Sequence, residues 1–263
     1  MEHLLIIGCG NMGGAMLAGW LAAGEDPARF SVLDPALAAA PEGVALYRNA
    51  DAVPGTHDAV LLGFKPQQLG ALGPGLQGLT EGRTVCSLLA GITLDQLAAA
   101  FLQGAGHIRV MPNLAARINR SPVILAERGL DADARAAAFA LFDTLGRAVW
   151  LEDEAQFDLV TALAGSGPGF VYRFIDALAG AAADLGLDAP TAAALALATV
   201  EGAAALAAAS DASPASLADR VASPGGMTRE GLNVLDEDAA LRRLLARTLA
   251  ATRDKGAALA QDS

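Results

Sequence analysis

The stretch Leu4-Leu5-Ile6-Ile7-Gly8-Cys9-Gly10-Asn11-Met12-Gly13-Gly14-Ala15-Met16 decides the fold. Four apolar residues in a row suit a strand buried on both faces, and the glycines at 8, 10 and 13 fit G-x-G-x-x-G. In that spacing the first glycine allows a tight turn, the second lets backbone approach a phosphate, and the third lets the following helix pack on the strand. The free N–H groups at the start of that helix, read from Ala15 to Ala23, then face the anion. Glycine-rich turns of this spacing also occur as plain loops, so the neighbouring sequence has to decide. A second apolar run, Phe30 to Leu33, ends at Asp34, about twenty residues on, where an acid is expected to meet a ribose hydroxyl.

The same pattern continues outward from this first turn. Val44 to Tyr47 reads as a short strand with Arg48-Asn49 as its polar exit, and Asp58 to Phe64 as a buried strand ending at Lys65-Pro66-Gln67. Thr84 to Leu89 ends at Ala90-Gly91, before a helix from Leu94 to Phe101 with Thr93 as its cap. Ile108 to Met111 closes at Pro112-Asn113, and Val123 to Ala126 and Ala148 to Leu151 flank a helix that starts near Asp131 and stops at Gly146. Strand and helix alternate to about residue 152, which predicts an α/β domain over residues 1–152, a doubly wound, mostly parallel Rossmann sheet that binds a dinucleotide. Ligands of such sheets gather outside the carboxyl ends of the strands, where Asn49 and Lys65 fall. A turn asparagine and a surface lysine are the alternative reading of those two positions.

Beyond Glu152-Asp153-Glu154 no strand signal returns. Asp158 to Leu185, Pro190 to Ala209, Pro214 to Val221 and Glu237 to Leu259 are helical by their caps and breakers, so residues 153–263 are expected to form an all-α domain. These helices are rich in alanine and poor in charge, and a single copy would leave apolar surface exposed, which predicts dimerisation. Two glycine breaks interrupt them. Gly165-Ser166-Gly167-Pro168-Gly169 cuts an apolar helix, which costs stability unless a kink or close backbone approach is wanted. Ser223-Pro224-Gly225-Gly226-Met227-Thr228 precedes the helix-like Arg229 to Leu235; its hydroxyls and free amides suit a carboxylate, and equally a capped helix connection.

Composition narrows the partners. The 263 residues are 53% hydrophobic but only 5% aromatic, so alanine, leucine and valine fill the core, and there is enough chain for a substantial one. A formal charge of −11 argues against nucleic acid and anionic membrane, and no stretch nears the roughly 20 uninterrupted apolar residues of a membrane span. A small soluble substrate is expected. The N-terminus enters a strand without a basic n-region or cleavage site, which points to a cytoplasmic location. Cys9 and Cys86 read as small buried thiols, and His3, His57 and His107 lack metal-ligand spacing, so no metal is expected.

Taken together, five motifs resemble the pyrroline-5-carboxylate reductase family: Gly8-Cys9-Gly10-Asn11-Met12-Gly13, Phe64-Lys65-Pro66-Gln67, Arg109-Val110-Met111-Pro112-Asn113, Gly165-Ser166-Gly167-Pro168 and Ser223-Pro224-Gly225-Gly226-Met227-Thr228. They cover nearly the whole chain in order. Many nicotinamide dehydrogenases share the first; the last, followed by Gly231-Leu232, is close to a family signature. The resemblance implies a Rossmann domain followed by a helical domain that interlocks with a second copy, as a homodimer or a larger assembly of dimers. It implies reduction of 1-pyrroline-5-carboxylate to L-proline by NADP(H) or NAD(H). It also implies that Gly8, Cys9, Gly10, Asn11, Met12, Gly13, Asp34, Asn49, Gly63, Phe64, Lys65, Pro66, Leu88, Leu89 and Ala90 line the dinucleotide. Ser223, Gly225, Gly226 and Thr228 would hold the substrate, with Thr228, Ser223 and Glu154 at the catalytic centre.

The sequence departs from the family at two places. Leu114 to Arg120 replaces the Thr-Pro and small glycines that follow Met-Pro-Asn, making that loop bulkier and more basic, and Arg220 stands where asparagine is common. Asp34 should repel a 2′-phosphate unless Arg29 or Arg48 folds over to offset it. Two rival functions compete. A reductase of another cyclic imine or a small hydroxy acid would use the same cofactor, but hydroxy-acid members of the wider group rely on a mid-chain helix lysine, and lysine occurs here only at 65 and 255. A non-catalytic dinucleotide-binding scaffold would not require the intact turn from Ser223 to Thr228.

Overall fold

The computed structural model describes residues 1–261; Asp262 and Ser263, the end of the expected helical domain, lie outside them. The chain forms two compact units: Met1–Gly165 together with residues from Thr252 onward, and Ser166–Ala251.

The first unit is built on eight strands: β1 (Leu4–Ile7), β2 (Phe30–Leu33), β3 (Ala45–Tyr47), β4 (Ala59–Leu62), β5 (Thr84–Ser87), β6 (Gly106–Met111), β7 (Ser121–Arg128) and β8 (Gly146–Trp150). They form one sheet in the order β3-β2-β1-β4-β5-β6-β7-β8, parallel throughout except where β6 meets β7. Each strand read from the sequence is present. The chain winds from β1 outward to β3, then returns to place β4 on the other side of β1, so the order in which strands are added reverses between β1 and β4 while the strands stay parallel. A crevice opens there, outside the strand ends.

Side chains alternate across the pleat, and the alternation divides the core in two. Leu4, Ile6, Val32, Leu61, Cys86 and Ile108 face one layer. That layer is closed by α1 (Asn11–Ala22) and by a later helix from Ala132 to Asp143, through Met16, Leu17, Trp20, Leu141 and Phe142. Trp20 stacks on Phe30 with ring centres 5.2 Å apart and donates its indole N–H to the Leu141 carbonyl at 2.9 Å. Leu5, Ile7, Val60, Leu62 and Val85 face the opposite layer, against Leu76, Leu79, Leu97 and Phe101. Local signals agree with this packing. Thr93 and Gln96 cap α2 (Leu94–Ala100) reciprocally, and Asp131 caps α3 (Ala132–Asp143) by accepting from the Ala134 amide at 2.7 Å.

His57 and His107 lie at the margins of this core, both buried, each ring bonded to a backbone carbonyl, Leu79 at 2.9 Å and Phe101 at 3.0 Å. Burial is the main cause that lowers both pKa values, with the carbonyl bonds opposing it. The folded pKa therefore lies below the unfolded value near ~6.5, and their contribution is intact above that value and lost as pH falls towards the folded one. Melting temperature should drop between about pH 7.5 and 5.5, and a His57→Gln, His107→Gln double variant should show a shallower drop. Equal slopes in the two proteins would contradict this assignment.

Between Gly91 and Gly165 the chain makes two unusual turns. Leu114–Ile118 forms a 3-10 turn that ends at Asn119 in the left-handed region, and the Asn119 amide bonds the Gly19 and Thr144 carbonyls at 2.9 and 2.7 Å. A Cβ on Gly19 would lie 2.1 Å from the Ala116 carbonyl oxygen, so α1 and this loop meet backbone to backbone. The glycine break at Gly165 is a π-helical turn, Thr161–Gly165, and a Cβ on Gly165 would stand 3.3 Å from the Met111 sulfur. Close approach to the end of β6 explains that glycine.

The second unit is helical: α4 (Gly167–Asp184), α5 (Ala189–Ala208), α6 (Pro214–Arg220), α7 (Met227–Asp236) and most of α8 (Ala240–Gln261). Among its described residues only Ala192, Ala196 and Ala222 are buried, while Tyr172, Phe174, Leu195, Leu197 and Leu206 are exposed. Its apolar faces have no core of their own to enter. One helix, Ala189–Ala208, is long and apolar enough by length and composition to cross a membrane. Its apolar residues are not uninterrupted, which is the expectation the sequence carried. Thr191, Thr199 and Glu201 interrupt it, but alanine elsewhere keeps the whole helix apolar.

Candidate active site

The crevice at the β1–β4 reversal is a cleft of about 590 Å³, within the roughly 300–1,000 Å³ of cofactor sites. Gly8, Gly10, Asp34, Asn49, Gly63, Phe64 and Lys65 all line it, brought from the ends of four strands. The three motif glycines serve different needs. Gly8 has φ +85°, and a Cβ there would lie 2.9 Å from the Phe64 amide nitrogen; one on Gly13 would lie 2.9 Å from the Gly8 carbonyl oxygen. Those two glycines let β1, α1 and the end of β4 pack together. A Cβ on Gly10 would meet nothing within 4 Å and would enter the cleft. The space above Gly10, beside the first amides of α1, fits a pyrophosphate.

Asp34 closes the other end. One carboxylate oxygen accepts from the Cys9 amide at 2.9 Å, and the other from the Ala36 and Leu37 amides at 2.8 and 3.2 Å. Arg48 does fold over this loop: its guanidinium donates to the carbonyls of Asp34, Pro35, Leu37 and Ala38. Arg29 is held elsewhere, by Glu25 and the carbonyls of Met1 and Glu2. Cys9 is buried, and burial followed by the Asp34 charge pushes its thiol pKa up; burial does the same, more strongly, to Cys86. Both are core thiols, as the sequence indicates.

Several expected cofactor residues lie next to the cleft and do not line it. Asn11, Met12 and Gly13 open α1, and Leu88, Leu89 and Ala90 follow β5, with the Leu88 amide donating to the Leu62 carbonyl and the Leu89 amide to the Ser87 hydroxyl. Pro66 lines a neighbouring cavity with Gln67, Leu69 and Gln77. The structure adds Gln68, Ala71, Leu72, Gly75 and Leu76, from the short helical turns between Pro66 and Thr80. Gln68 accepts from the Lys65 amide at 3.0 Å. The Gly-Pro-Gly run at 73–75 reads as a breaker in the sequence, and nothing in its periodicity signals a cofactor wall.

Glu154 has two partners in the first unit. Its Oε1 accepts from Arg109 at 2.7 Å and from the Leu94 amide at 2.8 Å, and the buried Arg109 guanidinium lies 3.8 Å from the centre of the Phe157 ring. The carboxylate thus joins β6 to the first amide of α2, a link that the Arg109 to Asn113 motif alone did not reveal. Asn113 in turn donates to the Ala164 carbonyl at 2.9 Å.

In the helical unit the Ser223 carbonyl accepts from the Gly226 amide at 2.9 Å, with Pro224 second and Gly225 third at φ +71°, the pattern of a type II turn. A Cβ on Gly226 would stand 2.6 Å from the Ser223 hydroxyl and 3.0 Å from its carbonyl oxygen, so a larger residue would have to turn the hydroxyl aside. Gly226 then starts α7 without a side-chain cap, and Ser223 and Thr228 are exposed next to its first amides. Arg229 fastens this start to Asp219 at 2.8 Å. Hydroxyls and free amides at one helix start form a set of donors suited to a carboxylate.

Two family models match this chain. Residues 154–259 match the model for pyrroline-5-carboxylate reductase dimerisation, and residues 3–91 match that for NADP oxidoreductase, coenzyme F420-dependent. The pyrroline-5-carboxylate reductase of Methanosarcina acetivorans is 33% identical over 90% of both chains. A solved pyrroline-5-carboxylate reductase from Coxiella burnetii superposes with a TM-score of 0.90 at 29% identity over 97% of both chains. The Plasmodium falciparum pyrroline carboxylate reductase, solved with NADP bound, shares the fold at a TM-score of 0.84 and 22% identity over 99% of both.

Proposed function

The chain belongs to the pyrroline-5-carboxylate reductase family, and on that premise we propose how its residues divide the work. It is an NAD(P)-dependent oxidoreductase that reduces the cyclic imine 1-pyrroline-5-carboxylate to L-proline. Two features within this one chain carry the assignment of residues: a cleft left open above Gly10, and a glycine turn with two hydroxyls at the start of α7.

Reduced nicotinamide, when bound, supplies the hydride that the C=N carbon takes up. In our reading the backbone of Gly8, Gly10 and the first turn of α1 neutralises the pyrophosphate, while Cys9, Asn11, Met12 and Gly13 keep that turn in shape. Asp34 receives a ribose hydroxyl, and Asn49, Gly63, Phe64, Lys65 and Pro66 border the cofactor on one side, Leu88, Leu89 and Ala90 on the other. The Gly225 amide, the first free amides of α7 and the Ser223 hydroxyl grip the substrate carboxylate, while the Gly226 amide, bonded to the Ser223 carbonyl, holds that turn in shape. Thr228 donates or accepts at the ring nitrogen. Glu154 acts through Arg109 and the start of α2, holding the two together. A protonated imine is already a strong electrophile, so positioning supplies most of the acceleration, an effect worth roughly 7 to 11 kcal/mol.

In this reading residues 1–152 carry the dinucleotide, and 153–263 bind the substrate and provide the self-association surface. The exposed apolar side chains of the helical unit support a homodimer or an assembly of dimers. Two unpaired cysteines fit the reducing cytoplasm, where we place the enzyme. The direct test mixes purified protein, 1-pyrroline-5-carboxylate and either reduced nucleotide, and follows loss of nicotinamide absorbance and gain of L-proline. Turnover on the order of 10 s⁻¹ is expected with at least one nucleotide. No proline with either would overturn the assignment.

A further inference from the structure

The end of β2 decides which nicotinamide nucleotide such a fold accepts, because the ribose that carries the 2′ substituent lies against it. Asp34 stands there with its carboxylate fixed. Three backbone N–H groups, from Cys9, Ala36 and Leu37, hold it, two on one oxygen and one on the other. A carboxylate offers about four acceptor sites, so one remains. That site suits a hydroxyl donor and repels a phosphate.

The nearest cation does not reverse this. Arg48 borders the cleft, but its two terminal nitrogens donate to four carbonyls between Asp34 and Ala38, which makes it a clip on the loop behind Asp34. Arg29 is bound to Glu25 and the N-terminal carbonyls. Lys65 follows β4, two strands away from β2 in the sheet, about 10 Å at the usual strand spacing.

We propose that Asp34, pinned by the 9, 36 and 37 amides with Arg48 spent on the loop carbonyls, makes this chain select NADH over NADPH. The inference rests on the reductase reading above and concerns only the choice between the two nucleotides. A 2′-phosphate brought against Asp34 meets a like charge that cannot turn aside, and the Arg48 donors that could bind the phosphate are already taken by the loop carbonyls.

Isothermal titration calorimetry on the nucleotide-free protein tests it without turnover. NADH should bind tighter than NADPH by about tenfold or more, the effect of one poorly screened like-charge contact. Asp34→Ser should bring the two dissociation constants together or reverse them, mainly by tightening NADPH. Arg48→Ala should weaken both nucleotides in parallel, as loss of a loop clip would. Equal or tighter NADPH binding by the unaltered protein would overturn the proposal, as would an unchanged ratio in Asp34→Ser or a loss confined to NADPH in Arg48→Ala. Failure of the reductase reading looks different: both nucleotides bind in whatever ratio, and neither is oxidised by the imine.

Discussion

Gly10→Val should sharply weaken cofactor binding and leave the fold intact. Gly10 has φ −73° and extended backbone, a conformation open to any residue, and no protein atom lies within 4 Å of a Cβ there. The added side chain meets only the space above the turn, where the pyrophosphate must approach the backbone. Loss of that approach removes the hydrogen bonds from the first amides of α1 together with the close contact. Affinity for NADH and for NADPH should both fall by roughly 10²-fold or more, near 2.7 kcal/mol, with kcat/KM falling in step and melting temperature almost unchanged. Gly8→Ala should behave in the opposite way. At φ +85°, with the Phe64 amide 2.9 Å from the new Cβ, it strains the junction of β1 and β4 and should lose about 1–3 kcal/mol of stability. Calorimetric binding and thermal melts on the two variants separate a ligand-facing glycine from a packing one. A Gly10→Val protein that still binds nucleotide normally would show that the cleft is used otherwise.

The central strands β1, β4 and β5 were legible because they are buried on both faces, while the edge strands β3 and β8 are only partly buried and were read from the turn residues around them. A strand buried on both faces must be an unbroken apolar run, and the polar or glycine residue that ends it falls at the carboxyl edge where ligands collect. That is why Asp34, Asn49 and Lys65 could be placed from spacing alone and do line one cleft. What spacing could not reveal is what each side chain is already doing. The charge of Asp34 reads identically in sequence whether its oxygens are free or held by the Cys9, Ala36 and Leu37 amides, and those bonds set its orientation. Glu154 meets Arg109 across 45 positions and Leu94 across 60, contacts that only the closed sheet creates. The turns from Pro66 to Thr80 are too short for helical periodicity to appear, so the wall they give to the cleft was invisible. In the helical unit the motif was clear, but the reason for its second glycine was not until Ser223 was found against it.

Thr228→Ala should lower kcat/KM for 1-pyrroline-5-carboxylate by roughly 10- to 100-fold, the worth of a hydrogen bond to a group carrying charge. The fold gives this substitution little to disturb. Thr228 is the second residue of α7, not its cap, its side chain is exposed, and alanine is the better helix former. A bond made to the ring nitrogen strengthens or weakens as hydride arrives at the adjacent carbon, so the loss should fall mainly on kcat. Ser223→Ala should instead raise KM, since a carboxylate is held equally before and during the chemical step. The substrate itself can separate these roles. With 1-pyrroline, which lacks the carboxylate, the Ser223→Ala penalty should vanish, whereas the Thr228→Ala penalty should persist because the ring nitrogen is still there. If Thr228→Ala leaves kcat/KM unchanged for both imines while nucleotide affinity is also unchanged, the hydroxyl has no part in the reaction. The proton and the ring nitrogen must then be managed by solvent or by another side chain.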